Sequence, residues 1–518
     1  WLPDLQARYD MDRVLAADGG GDPNALPLGV IDDPAHQSQH TVRYSPDTDG
    51  NLAVYGTGGS GKSGVLRALA YAASALSDRA RTHIYGLDFS TAGLPMLSSL
   101  PNVGAVIDGS DAERVIRLLR RLVELLDDRA TRYADAHADS IAEYRRSADK
   151  PDEARVLLLI DGFSAFRDAY ETGTGATLKA YGNFTRLLAE GRGVGIHVIL
   201  TADRPGALPS SLAANVHTRL VLRQADENGY LALDVPKNVL VEAPPGRAVF
   251  SGGVNELQVA IPSGSSSAPS QAAAFAKLAE RMRDAGVAPA EGVERLADLV
   301  ARSDVPASIA GMPVLGIGEE DLAPLPFSPL GALSIGGMPG SGRTSAIESV
   351  VQALHQWRPS LPLYFIGPRR SRVHDLGLWR ASARGVDEVA ALLAPVKEIA
   401  ENAAADDDAP DVVLVVEALS ELVGTPAEAP VLDIVKKLRR NGHLVVAEQE
   451  TSGWSSGWPL IAEVRNARHG IVMQPNPMDG DVLFKVDFPR LKRSDYPLGR
   501  GVYVHSGKVR VVQLPMPE

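Results

Sequence analysis

One glycine-rich pattern occurs twice in this chain, and it restricts the fold more than any other feature. Residues 56–63 read GTGGSGKS and residues 337–344 read GMPGSGRT. A short apolar run precedes each stretch and a helix-forming segment follows it. The first copy satisfies G-x-x-x-x-G-K-[ST] in full, the pattern of a strand–loop–helix phosphate cradle. Gly56, Gly58, Gly59 and Gly61 let the backbone take angles closed to other residues, so that successive N–H groups turn inward toward phosphate oxygens. Thr57, Ser60 and Gly64 complete that loop, and the helix beginning near Gly61 adds the positive end of its dipole. Lys62 is expected to reach the β- and γ-phosphates of ATP, and the Ser63 hydroxyl to ligate Mg²⁺.

The second copy spans Gly337, Met338, Pro339, Gly340, Ser341, Gly342, Arg343, Thr344 and Ser345. Arg343 stands where lysine is expected. It keeps the charge, but a planar guanidinium does not replace a compact ammonium. Pro339 removes one backbone donor. This loop is expected to bind nucleotide in weakened or altered form, or to be purely structural, with Thr344 in the metal-ligand position.

The loops belong to a two-fold repeat of the whole chain. Residues 27–40 resemble residues 312–324 ahead of the loops, and residues 244–262 parallel residues 497–517 as closing hairpins. A Ser/Pro/Gly-rich break at 263–271 and a helix-like stretch at 272–286 follow the first hairpin. Two domains are therefore expected, 1–286 and 287–518. Inside each, continuous apolar runs such as VLLLI and VVLVV read as central strands covered on both faces. Strand–helix alternation with such strands predicts an α/β fold: two tandem P-loop NTPase domains of RecA-like type with mostly parallel, doubly wound sheets.

Asp161 closes the first apolar run and Glu417 the second, as the acids that hold a Mg²⁺-bound water in such sites. The carboxylate that polarises the attacking water usually comes next. Here Gly162 and Ala418 follow instead. Losing general-base help costs on the order of 10²–10⁴ in rate, so ATP·Mg binding with slow turnover is expected. Asp203 or Glu448, or a neighbouring domain, remain open as sources of a base. Arg219, Arg223 and Arg468 are candidates for an arginine acting in trans, against the plainer reading of ordinary surface residues.

The net charge of −12 makes nucleic acid a poor first partner, because backbone tracking needs a basic face. The absence of cysteine excludes disulfides and thiolate sites. No apolar run is long enough to span a bilayer. The chain opens on Trp1 rather than Met, which reads as a fragment whose membrane anchor lies outside it.

The chain resembles the EccC family, the FtsK/SpoIIIE-type ATPases of type VII (ESX) secretion. The resemblance rests on WLPDL (1–5), LGVIDDP (28–34), GTGGSGKS (56–63), GLDFS (86–90), LLIDGF (158–163), GIHVILTADRP (195–205), PPGRAV (244–249) and LGIGEEDLAP (315–324). It implies the second and third of three ATPase domains behind a membrane anchor, at the cytoplasmic face of the cell membrane. It also implies regulatory nucleotide binding and a homo-oligomer, a hexameric ring in the assembled machine. Implied partners are other ATPase domains and membrane subunits, and small WXG-type helical-hairpin substrates recognised by their C-terminal tails. Asp203 departs from the wider pattern, which has Gln there. A DNA translocase of the same superfamily is the alternative, and a nucleotide-stabilised adaptor a third reading.

Overall fold

The computed structural model describes all residues except 1, 20, 92, 174, 238, 241, 489–495 and 517–518. Trp1 of the opening motif and residue 517 of the second closing hairpin lie outside the described residues. The chain divides into two compact units, Trp1–Glu294 and Arg295–Glu518.

The first unit is built on ten strands: β1 (Leu26–Asp33), β2 (Ser38–Tyr44), β3 (Leu52–Tyr55), β4 (Thr82–Asp88), β5 (Val103–Asp108), β6 (Arg155–Asp161), β7 (Ile196–Ala202), β8 (Thr218–Leu222), β9 (Arg247–Phe250) and β10 (Leu257–Val259). They form one sheet in the order β2-β1-β10-β9-β8-β3-β7-β6-β4-β5. The run from β8 to β5 is parallel, and β9, β10, β1 and β2 continue it antiparallel. Every residue of β6 and β7 is buried, because both faces are covered. Alternate residues serve opposite layers. Leu158 and Ile160 pack with the helices Ala112–Asp135 and Ala176–Glu190. Leu157 and Leu159 pack with Lys62–Ala75 and Ala268–Asp284.

The second unit repeats the plan with β11 (Ser308–Ile309), β12 (Met312–Gly318), β13 (Pro324–Pro326), β14 (Gly331–Gly337), β15 (Leu363–Gly367), β16 (Ala381–Arg384), β17 (Val413–Val416), β18 (Leu444–Glu448), β19 (Gly470–Met473), β20 (Arg500–His505) and β21 (Lys508–Gln513). The order is β11-β12-β21-β20-β19-β14-β18-β17-β15-β16, with β13 on β12. Thus β14 sits between β19 and β18 as β3 sits between β8 and β7. The repeat holds at atomic scale. A Cβ on Gly29 would lie 2.1 Å from the Gln258 carbonyl oxygen, and one on Gly316 would lie 2.2 Å from that of Gln513. Each glycine lets the opening strand close against the final hairpin.

The expected boundary after residue 286 falls a few residues short of the division at Glu294. The intervening segment is tied to the first unit. Ala290 N–H donates to the Pro101 carbonyl at 2.8 Å, the Tyr85 hydroxyl donates to the Glu291 carbonyl at 3.1 Å, and Arg121 Nη1 donates to the Gly292 carbonyl at 2.6 Å. Val293 is buried in the first unit's core. Among the described residues no helix is long and apolar enough to cross a membrane.

Candidate functional site

Each glycine loop runs from the carboxyl end of its sheet's central strand into the next helix: β3 into Lys62–Ala75, β14 into Arg343–Trp357. Gly59 and Gly61 have φ of +72° and +107°, and Gly340 and Gly342 have +74° and +98°. A Cβ on Gly61 would also stand 2.7 Å from the backbone nitrogen of Gly246, whose N–H donates to the Ser60 carbonyl at 2.8 Å. The closing hairpin therefore braces the first loop. Arg247, next along that hairpin, donates through Nη2 to the carbonyls of Leu5 at 3.0 Å and Gln6 at 3.3 Å.

In the first loop the Lys62 ammonium folds back. It donates to the carbonyls of Gly56 at 2.6 Å and Thr57 at 3.0 Å, and pairs with Asp203 at 2.8 Å. The Asp203 side chain is 66% exposed, so water screens this pair and it is easily exchanged. Ser63 opens the helix and donates to Asp161 Oδ2 at 2.6 Å. Asp161 is buried and takes two more hydroxyl donors, Ser90 at 2.8 Å and Thr201 at 2.7 Å. Thr201 in turn accepts the Gly162 N–H at 2.8 Å. Ser63 and Asp161 thus meet although 98 residues separate them. Ser90 and Thr201 were not singled out from sequence. Their signal is position alone, since Ser90 follows β4 and Thr201 lies near the end of β7, both beside β6.

The second loop has the same frame and a different content. Thr344 reaches Glu417 at a long 3.5 Å. Arg343 Nε pairs with Glu448 at 3.0 Å, and the other Glu448 oxygen accepts the Ala418 N–H at 3.0 Å. The Glu448 side chain is only 6% exposed, and burial raises its carboxyl above the ordinary range against the pull of that N–H and of Arg343. Glu448 had been a possible general base. Here it is instead an anchor for Arg343.

The positions following the two acids are left-handed, Gly162 at φ +86° and Ala418 at φ +54°. No carboxylate is carried there. Of the arginines considered, Arg223 offers its carbonyl to Thr57 N–H at 2.9 Å and Thr57 Oγ1 at 3.1 Å. Arg219 donates to Ala213 at 3.4 Å. Arg468 precedes β19 and lines a cavity of about 500 Å³ with Gly331, at the end of β14 away from the loop.

Among the described residues no group of three or more metal-ligating side chains converges. Mg²⁺ at a nucleotide site takes one or two protein ligands and fills its shell with phosphate oxygens and water. The hydroxyl of Ser63 and the carboxylate of Asp161 supply hard oxygen donors of the right kind.

These features define a pair of P-loop NTPase units. Residues 18–248 match the FtsK/SpoIIIE family. The chain is related over nearly its whole length to the ESX secretion system protein EccC of Thermomonospora curvata, 26% identical across 97% of this chain and 41% of that protein. The ESX-4 secretion system protein EccC4 of Mycobacterium tuberculosis is 31% identical over 51% of this chain and 21% of its own length. The chain thus spans less than half of these relatives. Among solved structures, ATPases 2 and 3 of T. curvata EccC, in complex with a signal sequence peptide, superpose with a TM-score of 0.78 at 23% identity, covering both chains entirely. ATPases 2 and 3 of EssC from Geobacillus thermodenitrificans give 0.74 at 19%, also over both entire chains. The chain is thus similar to EccC proteins of ESX secretion systems over nearly its whole length, and its two units have the fold of EccC ATPases 2 and 3.

Proposed function

We propose that the first unit binds ATP with Mg²⁺ and holds it with little turnover, as a regulatory part of an ESX secretion motor. The observation that carries this is the Lys62 ammonium folded onto its own glycine loop, next to a Ser63 hydroxyl bonded to the buried Asp161. Lys62 leaves two carbonyls and an exposed carboxylate to meet the β- and γ-phosphates. The N–H groups of residues 57–63 would hold the phosphates, and the Ser63 hydroxyl and the Asp161 carboxylate would hold Mg²⁺, directly or through water. Bound Mg²⁺ supplies charge neutralisation of the phosphates. Slow turnover follows from Gly162: no general base stands after Asp161. The second unit's loop, residues 337–345, would bind nucleotide more weakly, with Thr344 and Glu417 in the metal positions.

Recognition of a secreted protein's C-terminal signal is proposed on the likeness to the EccC unit pair solved with a signal sequence peptide. The partners would be small helical-hairpin proteins and the membrane subunits of the secretion complex, with assembly into a ring at the cytoplasmic face of the membrane. The formal charge of −12 disfavours the DNA-translocase alternative. Mass spectrometry of nucleotide carried through purification, with a single-turnover assay, tests the reading. One ATP per chain with turnover slower than about one per minute is expected. A chain free of nucleotide that also fails to bind added ATP·Mg, or one that consumes it within seconds, refutes it.

A further inference from the structure

The two sites differ most at one position of the sheet register. Val54 lies beside Thr201 in the first unit, and Ile335 lies beside Glu448 in the second. Val54 and Ile335 each stand two residues before the first glycine of their loop, so Thr201 and Glu448 are structural equivalents. Both accept the N–H of the residue after the acid: Gly162 to Thr201 at 2.8 Å, Ala418 to Glu448 at 3.0 Å. The threonine does this as a neutral hydroxyl and passes its proton to Asp161. The glutamate does it as a carboxylate, beside a second carboxylate, Glu417.

The cation of each loop answers its surroundings. Lys62 pairs with a carboxylate at the solvent edge, whereas Arg343 pairs with a buried one. A triphosphate entering the second loop must therefore take the cation from a buried partner and leave that partner's charge uncompensated. It must also approach the buried Glu448 beside Glu417, where the first loop holds its second carboxylate, Asp203, at the solvent edge. Replacement of lysine by arginine imposes neither barrier, since arginine binds phosphate well.

We propose that Glu448 is the specificity-determining residue of the second phosphate loop: its carboxylate holds Arg343 and, with Glu417, makes the loop discriminate against polyphosphates. This rests on the reading that the intact first loop binds ATP. The second loop is closed by an internal anion, and its weak point is residue 448 rather than residue 343.

Equilibrium dialysis of radiolabelled ATP with Mg²⁺ against the full chain tests this. In a Lys62→Ala background, which removes the first site, Glu448→Thr installs the first unit's residue and keeps an acceptor for the Ala418 N–H. Glu448→Gln keeps the side chain's shape, removes its charge and leaves one oxygen to accept the Ala418 N–H. Both are expected to tighten the remaining site at least tenfold. The proposal is overturned if Arg343→Lys alone tightens binding tenfold, or if Glu448→Gln and Glu448→Thr, with parental circular dichroism, do not. It is equally overturned if the second loop already matches the first. An unmutated chain with no Lys62-dependent ATP binding would sink the earlier reading instead, whatever residue 448 does.

Discussion

Restoring the absent carboxylate by Gly162→Glu is expected to damage the first unit rather than speed it. Gly162 has φ +86°, and a Cβ there would stand 2.9 Å from the Phe89 carbonyl oxygen. Phe89 has little room to yield, since its ring meets Phe166 at 5.4 Å and Tyr170 at 6.0 Å. The left-handed conformation costs an L-residue roughly 1–2 kcal/mol. Forcing atoms into packed surroundings costs about 1–3 kcal/mol more. The sum, about 2–5 kcal/mol, is a large part of a domain's stability and lowers its melting temperature on the order of 10 °C. The tryptophans divide conveniently: Trp357, Trp379, Trp454 and Trp458 all lie in the second unit, and Trp1 opens the first. Far-UV circular dichroism should therefore show an early partial transition while tryptophan emission keeps its parental midpoint. The mirror change, Ala418→Gly at φ +54°, should raise the emission midpoint slightly, by about 0.5 kcal/mol. A Gly162→Glu chain as stable as its parent, or one that gains ATP turnover, would refute the argument from backbone geometry.

Other outcomes follow from the same contacts. Thr201→Val leaves the part-buried Gly162 N–H without its acceptor and the buried Asp161 without one of its three hydroxyl donors, and should cost the first unit about 1–3 kcal/mol by chemical denaturation. Lys62→Ala should abolish the rise in the first unit's melting temperature that saturating ATP·Mg produces, about 2.7 kcal/mol of stabilisation at a hundredfold excess over Kd, read by differential scanning calorimetry. His469 is buried against the Tyr503 hydroxyl at 3.0 Å, and burial pushes its imidazole down to about 3. A folded-state value below the unfolded one means stability is present above about pH 6.5 and lost as pH falls toward 3. The second unit should thus lose about 1.4 kcal/mol per pH unit below 6.5 from this group, a slope that His469→Gln removes when tryptophan emission is followed in urea at pH 7.5 and 5.5.

The repeat, the central strands and both glycine loops were legible in sequence because each has a local signature. The helix Ala112–Asp135 likewise carries its apolar residues at helical spacing, a local signal. What sequence left open depends on register between distant segments. Thr201 and Glu448 look unrelated in the chain, and only the pairing of β7 with β3 and β18 with β14 makes them equivalents. The segment after residue 286 carries Gly, Ala and Pro without an apolar run, so its hold on Pro101, Tyr85 and Arg121, made largely through backbone carbonyls, leaves no side-chain pattern to read. Asp203 was weighed as a base from its place beside the loop, and its ion pair with Lys62 was not legible in sequence because it joins segments far apart in the chain.

The hairpin that braces the first loop also grips the start of the chain. Gly246 holds Ser60, and its neighbour Arg247 holds the carbonyls of Leu5 and Gln6. Two links therefore join the opening residues to the rim of the cradle, like a tie-rod between a lever and its latch. Thermodynamic reciprocity gives this a definite meaning: to whatever extent a filled cradle steadies residues 5–6, a tug on residues 5–6 alters how firmly the cradle stays filled.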